Sequence, residues 1–184
     1  MKLLAISGSL RAGSYNTALA RAARELAPAG VAVELYDGLS GLPPYDADAD
    51  AAGEPAAVLE LRRRIGSADA VLFVTPEYNG SIPGVLKNAV DWASRPHRDA
   101  ALTGKTVAVA GATTGQYGAM WAQQDLRRVL GIAGARVVEG ELPVPRAHEA
   151  FDSEGRLSSA IVAERIRAHL AALVEHALPA TIAA

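Results

Sequence analysis

The chain has 184 residues, half of them hydrophobic and 21% charged, with 18 Lys and Arg against 20 Asp and Glu for a formal net charge of −2. These values suit one globular domain spanning 1–184, with no general affinity for nucleic acid and without the charge of a strongly acidic electron carrier. The absence of cysteine excludes disulfides, thiolate catalysis, cysteine-type zinc centres and iron–sulfur clusters.

Residues 2–6 form a short, nearly continuous apolar run, as in a central parallel strand covered on both faces. The polar stretch Ser7-Gly8-Ser9-Leu10-Arg11-Ala12-Gly13-Ser14-Tyr15-Asn16 then interrupts the apolar start too early for a signal peptide. No apolar run approaches the roughly 20 residues of a membrane helix, so a cytoplasmic protein with no membrane partner is expected. From Thr17, residues Ala18, Leu19, Ala22, Ala23 and Leu26 recur at helical spacing, with Asn16 or Ser14 as cap and Pro28 with Gly30 as the stop. Val31, Val33 and Leu35 alternate with Ala32 and Glu34 as a second strand.

Residues 37–53, rich in Asp, Gly and Pro, read as a long surface loop with a solvated acidic edge. Pro55 opens a second helix with Val58, Leu61 and Ile65 inside. Arg62, Arg63 and Arg64 on that helix mostly face water, because consecutive helical residues point in different directions. Residues 70–74 are the clearest buried strand and end in Thr75-Pro76-Glu77-Tyr78-Asn79-Gly80-Ser81. Pro83 starts a helix with Val85, Leu86, Ala89 and Val90 inward, and the loop Ser94-Arg95-Pro96-His97-Arg98 follows.

Residues 106–110 are a fourth strand, ending in Gly111-Ala112-Thr113-Thr114-Gly115-Gln116-Tyr117-Gly118. Met120, Trp121, Leu126, Val129 and Leu130 outline a helix, and 135–138 supply a fifth strand. Residues 141–156 look irregular, Ile161, Ile166, Leu170, Leu173 and Val174 build a final helix, and 179–184 are expected to fray. Five alternations of strand and helix imply an α/β fold, a parallel sheet with helices on both faces.

In such sheets ligands bind beyond the carboxyl ends of the strands, which singles out three loops. The first lacks the glycine spacing of a dinucleotide fingerprint and the Gly-Lys-Ser/Thr ending of a P-loop. Its Ser9, Ser14 and Thr17 hydroxyls, Asn16 and Arg11 suit a phosphate monoester at a helix N-terminus. Simple capping by Ser14 or Asn16, with Arg11 on the surface, explains the same residues. In the second loop, Pro76, Glu77, Tyr78 and Asn79 either meet the edge of a heteroaromatic ring or merely shape a turn. In the third, Thr113, Thr114 and Gly115 could close one side of a planar ligand, though many strand-to-helix loops look alike. His97, His148, His169 and His176 are scattered and read as structural or solvated.

Two blocks carry a family resemblance: residues 8–16, and Thr75-Pro76-Glu77-Tyr78-Asn79-Gly80-Ser81-Ile82-Pro83-Gly84-Val85-Leu86-Lys87-Asn88-Ala89-Val90-Asp91-Trp92. The chain resembles the NADPH-dependent FMN reductase family, which includes bacterial chromate and quinone reductases and some azoreductases. The resemblance implies a flavodoxin-like three-layer sandwich with a five-stranded parallel sheet in the order 2-1-3-4-5. It implies non-covalent FMN, with NADPH or NADH as transient hydride donor and a quinone, flavin, azo compound or metal oxyanion as small-molecule acceptor.

By the same resemblance, Ser9, Arg11, Ser14, Asn16 and Thr17 would hold the FMN phosphate. Pro76, Glu77, Tyr78 and Asn79 would line the isoalloxazine ring, and Thr113, Thr114 and Gly115 would approach it from the third loop. That loop departs from the Ser-Pro-Gly-Gly often found there in the family. No protein acid or base is implied. A homodimer or homotetramer is, with the helices from Pro83 and around Trp121 as interface candidates. Arg95, His97 and Arg98 are candidates for the NADPH 2′-phosphate, or else an exposed polar loop. The alternative function is a flavodoxin-type FMN-binding electron carrier without nicotinamide turnover.

Overall fold

The computed structural model describes residues 1–97 and 99–178. Five of its strands are β1 (Lys2–Ser7), β2 (Ala32–Tyr36), β3 (Ala70–Val74), β4 (Thr106–Ala112) and β5 (Arg136–Val137), in the parallel order β2-β1-β3-β4-β5. This is the order of flavodoxin-like folds, whose switch point lies between β1 and β3. A sixth strand, β6 (Leu142–Val144), pairs with the last third of β4 at Ala110–Ala112, beyond the point where β5 stops.

Side-chain alternation along the central strands divides the core in two. Leu3 and Ala5, Ala70, Leu72 and Val74, and Ala108, Ala110 and Ala112 face one side. There they meet α1 (Tyr15–Glu25) and α7 (Ala160–Ala177). Leu4 and Ile6, Val71 and Phe73, and Val107 and Val109 face the other. They meet α3 (Ala56–Ser67), α4 (Gly84–Ala93) and α5 (Met120–Ile132). Covering both faces explains why these strands read as continuous apolar runs.

Several expectations are corrected. Residues 37–53 are not a plain surface loop: they hold a 3-10 turn (Gly38–Gly41) and the short helix α2 (Ala47–Ala52), capped by the Asp46 side chain. Two side chains of α4 pin this segment. Asn88 accepts from the Tyr45 N–H at 2.7 Å and donates to the Pro43 carbonyl at 2.8 Å, and the Trp92 indole donates to the same carbonyl at 2.8 Å. Arg62 does not face water, with only 10% of its side chain exposed. It donates to the Trp92 carbonyl, pairs with Asp50 at 2.9 Å and also pairs with Glu54. The acidic edge is thus partly neutralised inside the fold rather than solvated.

The fifth strand is divided into β5 and β6, because the chain leaves the sheet at residues 139–141, after the Val138 N–H has donated to the Val107 carbonyl. Arg127 spans the excursion by donating to the Val138 and Gly140 carbonyls and pairing with Glu141. The region 141–156 therefore contains β6 and the single-turn helix α6 (Ala147–Ala150). In α7 the buried stripe is Val162, Ile166, Leu170 and Leu173, while Ile161 is 76% exposed. The expected fraying of 179–184 falls outside the described residues.

His169 on α7 is largely buried against β4, and burial pulls its pKa down to about 4, opposed by the Val109 carbonyl. The folded protein therefore keeps this ring neutral, while the unfolded chain protonates it below about pH 6.5. Protons bind to the unfolded state first, so stability is full above that value and falls as pH drops toward 4. A urea midpoint at pH 5 is expected to be lower than at pH 7.5 by a shift worth about 1–2 kcal/mol, and His169→Gln should flatten that difference.

Candidate functional site

The loop after β1 is held by its own hydroxyls. The Gly8 N–H donates to the Val74 carbonyl at 2.8 Å, which carries the ladder one residue past the strand. Space at Gly8 is tight: a Cβ would lie 2.8 Å from Cδ2 of Leu86, which would have to shift. Ser14 is the N-cap of α1, its hydroxyl accepting from the Asn16 and Thr17 N–H groups at 3.2 and 3.4 Å. Asn16 is 4% exposed and bonds the Ala112 backbone in both directions, each bond 2.9 Å. Pairing between β3 and β4 ends at Ala110, so Asn16 supplies the partner that Ala112 lacks on that side.

The second loop is a two-residue hairpin turn. Tyr78 and Ser81 exchange both backbone hydrogen bonds, and Asn79 and Gly80 have φ of 53° and 76°. Both central residues are left-handed, as a type I′ turn requires, and Asn-Gly is the pair best suited to it. Glu77 reaches the first turn of α5, where its carboxylate accepts from the Ala122 N–H at 3.2 Å. It caps a helix whose own N-cap residue, Ala119, has no side chain to do so. The Ser81 hydroxyl donates to Asp125, and this bond, followed by Arg128, holds the Asp125 carboxyl below its usual range.

The third loop is fixed by the region after β5. Thr113 donates its N–H to the Val144 carbonyl at 3.1 Å and accepts from the Ala147 N–H at 2.9 Å. Gly118, with φ of 61°, sits against Pro143 and Val144 so closely that a Cβ would lie 2.7 Å from both. Gln123, fully buried on α5, donates to the Gly118 carbonyl and accepts from the Leu142 N–H.

The three loops enclose one cleft of about 150 Å³ at the carboxyl end of the sheet. Nine of the twelve residues singled out from the sequence line it: Ser9, Arg11, Ser14, Asn16, Pro76, Glu77, Tyr78, Thr113 and Thr114. The other three do not. Thr17 is turned a further step around α1 and shares a 3.0 Å hydrogen bond with the Ser7 hydroxyl. Asn79 is at the exposed tip of the hairpin, and Gly115 is drawn away by its carbonyl, which accepts from the Arg146 N–H. Arg95 and His97 follow the far end of α4, a helix about 15 Å long, and Arg95 pairs with Asp50 on α2. They are not part of the cleft, and Arg98 lies outside the described residues.

The donor set fits a flavin monophosphate. Among the described residues, the N–H groups of Leu10, Ala12, Gly13 and Tyr15 have no protein acceptor, and neither does the Arg11 guanidinium. These donors gather at the N-terminus of an eleven-residue helix, where an anion is favoured. On the opposite wall, Pro76 offers no N–H and Tyr78 is half exposed, its ring available to a planar ligand.

Residues 1–149 match the family model described as NADPH-dependent FMN reductase. The chain belongs to this family. It is 46% identical over 174 residues to an NAD(P)H-dependent FMN reductase of Pseudomonas aeruginosa, covering 94% of this chain and 93% of that one. It is 40% identical over 154 residues to a quinone reductase of Pseudomonas putida, covering 83% and 82%. The structure of FerB, a flavoenzyme NAD(P)H:(acceptor) oxidoreductase from Paracoccus denitrificans, superposes with a TM-score of 0.86 at 35% identity, covering 96% of each chain.

Sequence reasoning missed Tyr15, which also lines the cleft, and the buried Gln123, which braces the third loop. Gln123 had a signal: it occupies the apolar stripe that continues through Leu126 and Leu130. A polar residue on such a stripe is held there by hydrogen bonds.

Proposed function

We propose that this chain is an FMN-dependent oxidoreductase that takes hydride from NAD(P)H and reduces quinone or flavin acceptors. The observation that carries the reading is the set of unpartnered donors around Arg11 and the start of α1, opening toward Tyr78. Family membership favours turnover over a passive electron carrier. Bound FMN supplies the hydride and electron chemistry, and the protein supplies binding, orientation and electrostatics. Arg11, Ser9 and the free loop N–H groups hold the phosphate. Ser14, Asn16 and Thr17 act mainly by holding that loop in shape. Pro76, Glu77 and Tyr78 flank the ring system and Thr113 and Thr114 approach it from the third loop, while Asn79 shapes the hairpin turn and Gly115 the loop behind.

Azo compounds and metal oxyanions such as chromate belong to the acceptor range, because an open flavin face selects by redox potential more than by side chains. The chain acts as one domain in the cytoplasm, where the NAD(P)H pool is found. It works as a homodimer or homotetramer through α4 and α5. Supporting this, Trp121 and Ile132 on α5 are 49% and 76% exposed, and a groove of about 490 Å³ runs between the two helices. Among the described residues no helix is long and apolar enough to cross a membrane.

The test is steady-state NADPH and NADH oxidation by the FMN-loaded protein with menadione, compared with the same concentration of free FMN. Turnover well above free FMN is expected, and a rate equal to free FMN would overturn the reading. Light scattering on the same sample should give two or four chains.

A further inference from the structure

A second cleft, of about 420 Å³, lies between α1 and the end of β2. Ser9 and Arg11 line both clefts, so the same loop separates and joins them. The floor of the second is apolar: Ala5 of β1, Ala20 of α1, Leu35 of β2, and Leu39. Its rim carries Arg11, Arg21 and Asp37, and among the described residues none of these side chains has a hydrogen-bond or ion-pair partner. Two cations and a carboxylate around an apolar slot are available to a ligand that carries an anion, hydroxyl donors and a flat ring.

Asp37 is the residue directly after β2. In the related dinucleotide-binding Rossmann sheets, a carboxylate about twenty residues past the glycine turn takes the ribose 2′-hydroxyl, or a nearby arginine takes the 2′-phosphate. Here the neighbouring loop lacks dinucleotide glycine spacing, but the strand-end acid and the arginines are present. Phosphates bound on either side of the loop would share Arg11, as the linked phosphates of a dinucleotide can share one guanidinium.

We propose that this second cleft is a subsite for the adenosine 5′-phosphate half of a dinucleotide, an inference that rests on the flavin reading of the adjacent cleft. Asp37 accepts from the ribose hydroxyls, Arg21 meets the phosphate, and the Ala5, Ala20, Leu35 and Leu39 floor receives the purine. The moiety comes from either FAD or NAD(P)H, which carry the same chemistry.

The experiment titrates the FMN-loaded protein with 5′-AMP by calorimetry, in the wild type and in Asp37→Ala and Arg21→Ala. Both residues are exposed, so neither change threatens the fold. Binding in the wild type and roughly tenfold weaker binding in each variant is expected, with FMN affinity unchanged. If FAD is the source, the apoprotein binds FAD more tightly than FMN, and Asp37→Ala removes that advantage. If NAD(P)H is the source, Asp37→Ala raises its KM about tenfold at constant kcat while FAD and FMN bind alike. No 5′-AMP binding at millimolar concentration, equal binding by all three proteins, or a loss of 5′-AMP with both dinucleotides unaffected would overturn the proposal. Binding of 5′-AMP that depends on Asp37 in a protein that does not oxidise NAD(P)H would support the subsite and overturn the oxidoreductase reading.

Discussion

Replacing Arg11 with alanine is expected to weaken FMN binding by roughly 1.5–3 kcal/mol while leaving riboflavin binding nearly unchanged. The two ligands differ only in the phosphate, so the comparison isolates the contact in question. Arg11 is exposed and has no protein partner among the described residues, so its truncation removes no fold contact. The guanidinium can meet two phosphate oxygens at once, and a lysine cannot reproduce that fork. Arg11→Lys should therefore recover part of the loss. Flavin-fluorescence titration of the apoprotein measures both affinities. Equal losses for FMN and riboflavin would mean that Arg11 shapes the cleft rather than binding the anion.

The second large effect is on stability. Asn16→Leu should cost about 2–4 kcal/mol in urea unfolding, because it strands one buried donor and one buried acceptor of Ala112. For a chain of this size that is a fall in Tm of roughly 5–15 °C. Ala112 is the last residue of β4, past the end of its pairing with β3, so no strand can replace the lost partner. The first and third loops are joined by this clamp, and its loss should weaken FMN and riboflavin together. The two variants thus give opposite patterns: phosphate-selective for Arg11, unselective for Asn16. A change in unfolding free energy under about 1 kcal/mol would show that water satisfies Ala112 and that the clamp is dispensable.

Much of the fold was legible because it rests on short-range regularities. The apolar runs at 3–6, 70–74 and 106–110 read as strands covered on both faces, and the structure divides their alternating side chains between two cores. Ser14 was readable as a cap because its hydroxyl serves N–H groups two and three residues ahead. The Asn79-Gly80 pair likewise specified its turn through backbone conformation alone. Other elements were hidden for a definite reason. The sequence Leu142-Pro143-Val144 is too short, and too proline-disrupted, to signal a strand by period. It is one because β4 extends past β5 and leaves an open edge beside it. Helix α2, Ala-Asp-Ala-Asp-Ala-Ala, has no fully buried residue and so shows no apolar stripe. It persists because Asp46 caps it and Arg62 meets Asp50.

The same division runs through the site. Local pattern is enough to show that a strand feeds a hydroxyl-rich, arginine-bearing loop and then a helix N-terminus. It is also enough to place a proline and a tight turn after the third strand, since these depend on neighbours a few residues apart. Tertiary structure alone decided which groups remain free to bind. Asn16 is spent on Ala112, 96 residues away, Glu77 caps a helix 45 residues on, and Arg95 is carried to the opposite end of the sheet by α4. For each of these residues the partner lies far along the chain. What is left unpaired once the fold is complete, above all Arg11 and the N–H groups beside it, is what the protein offers to its ligand.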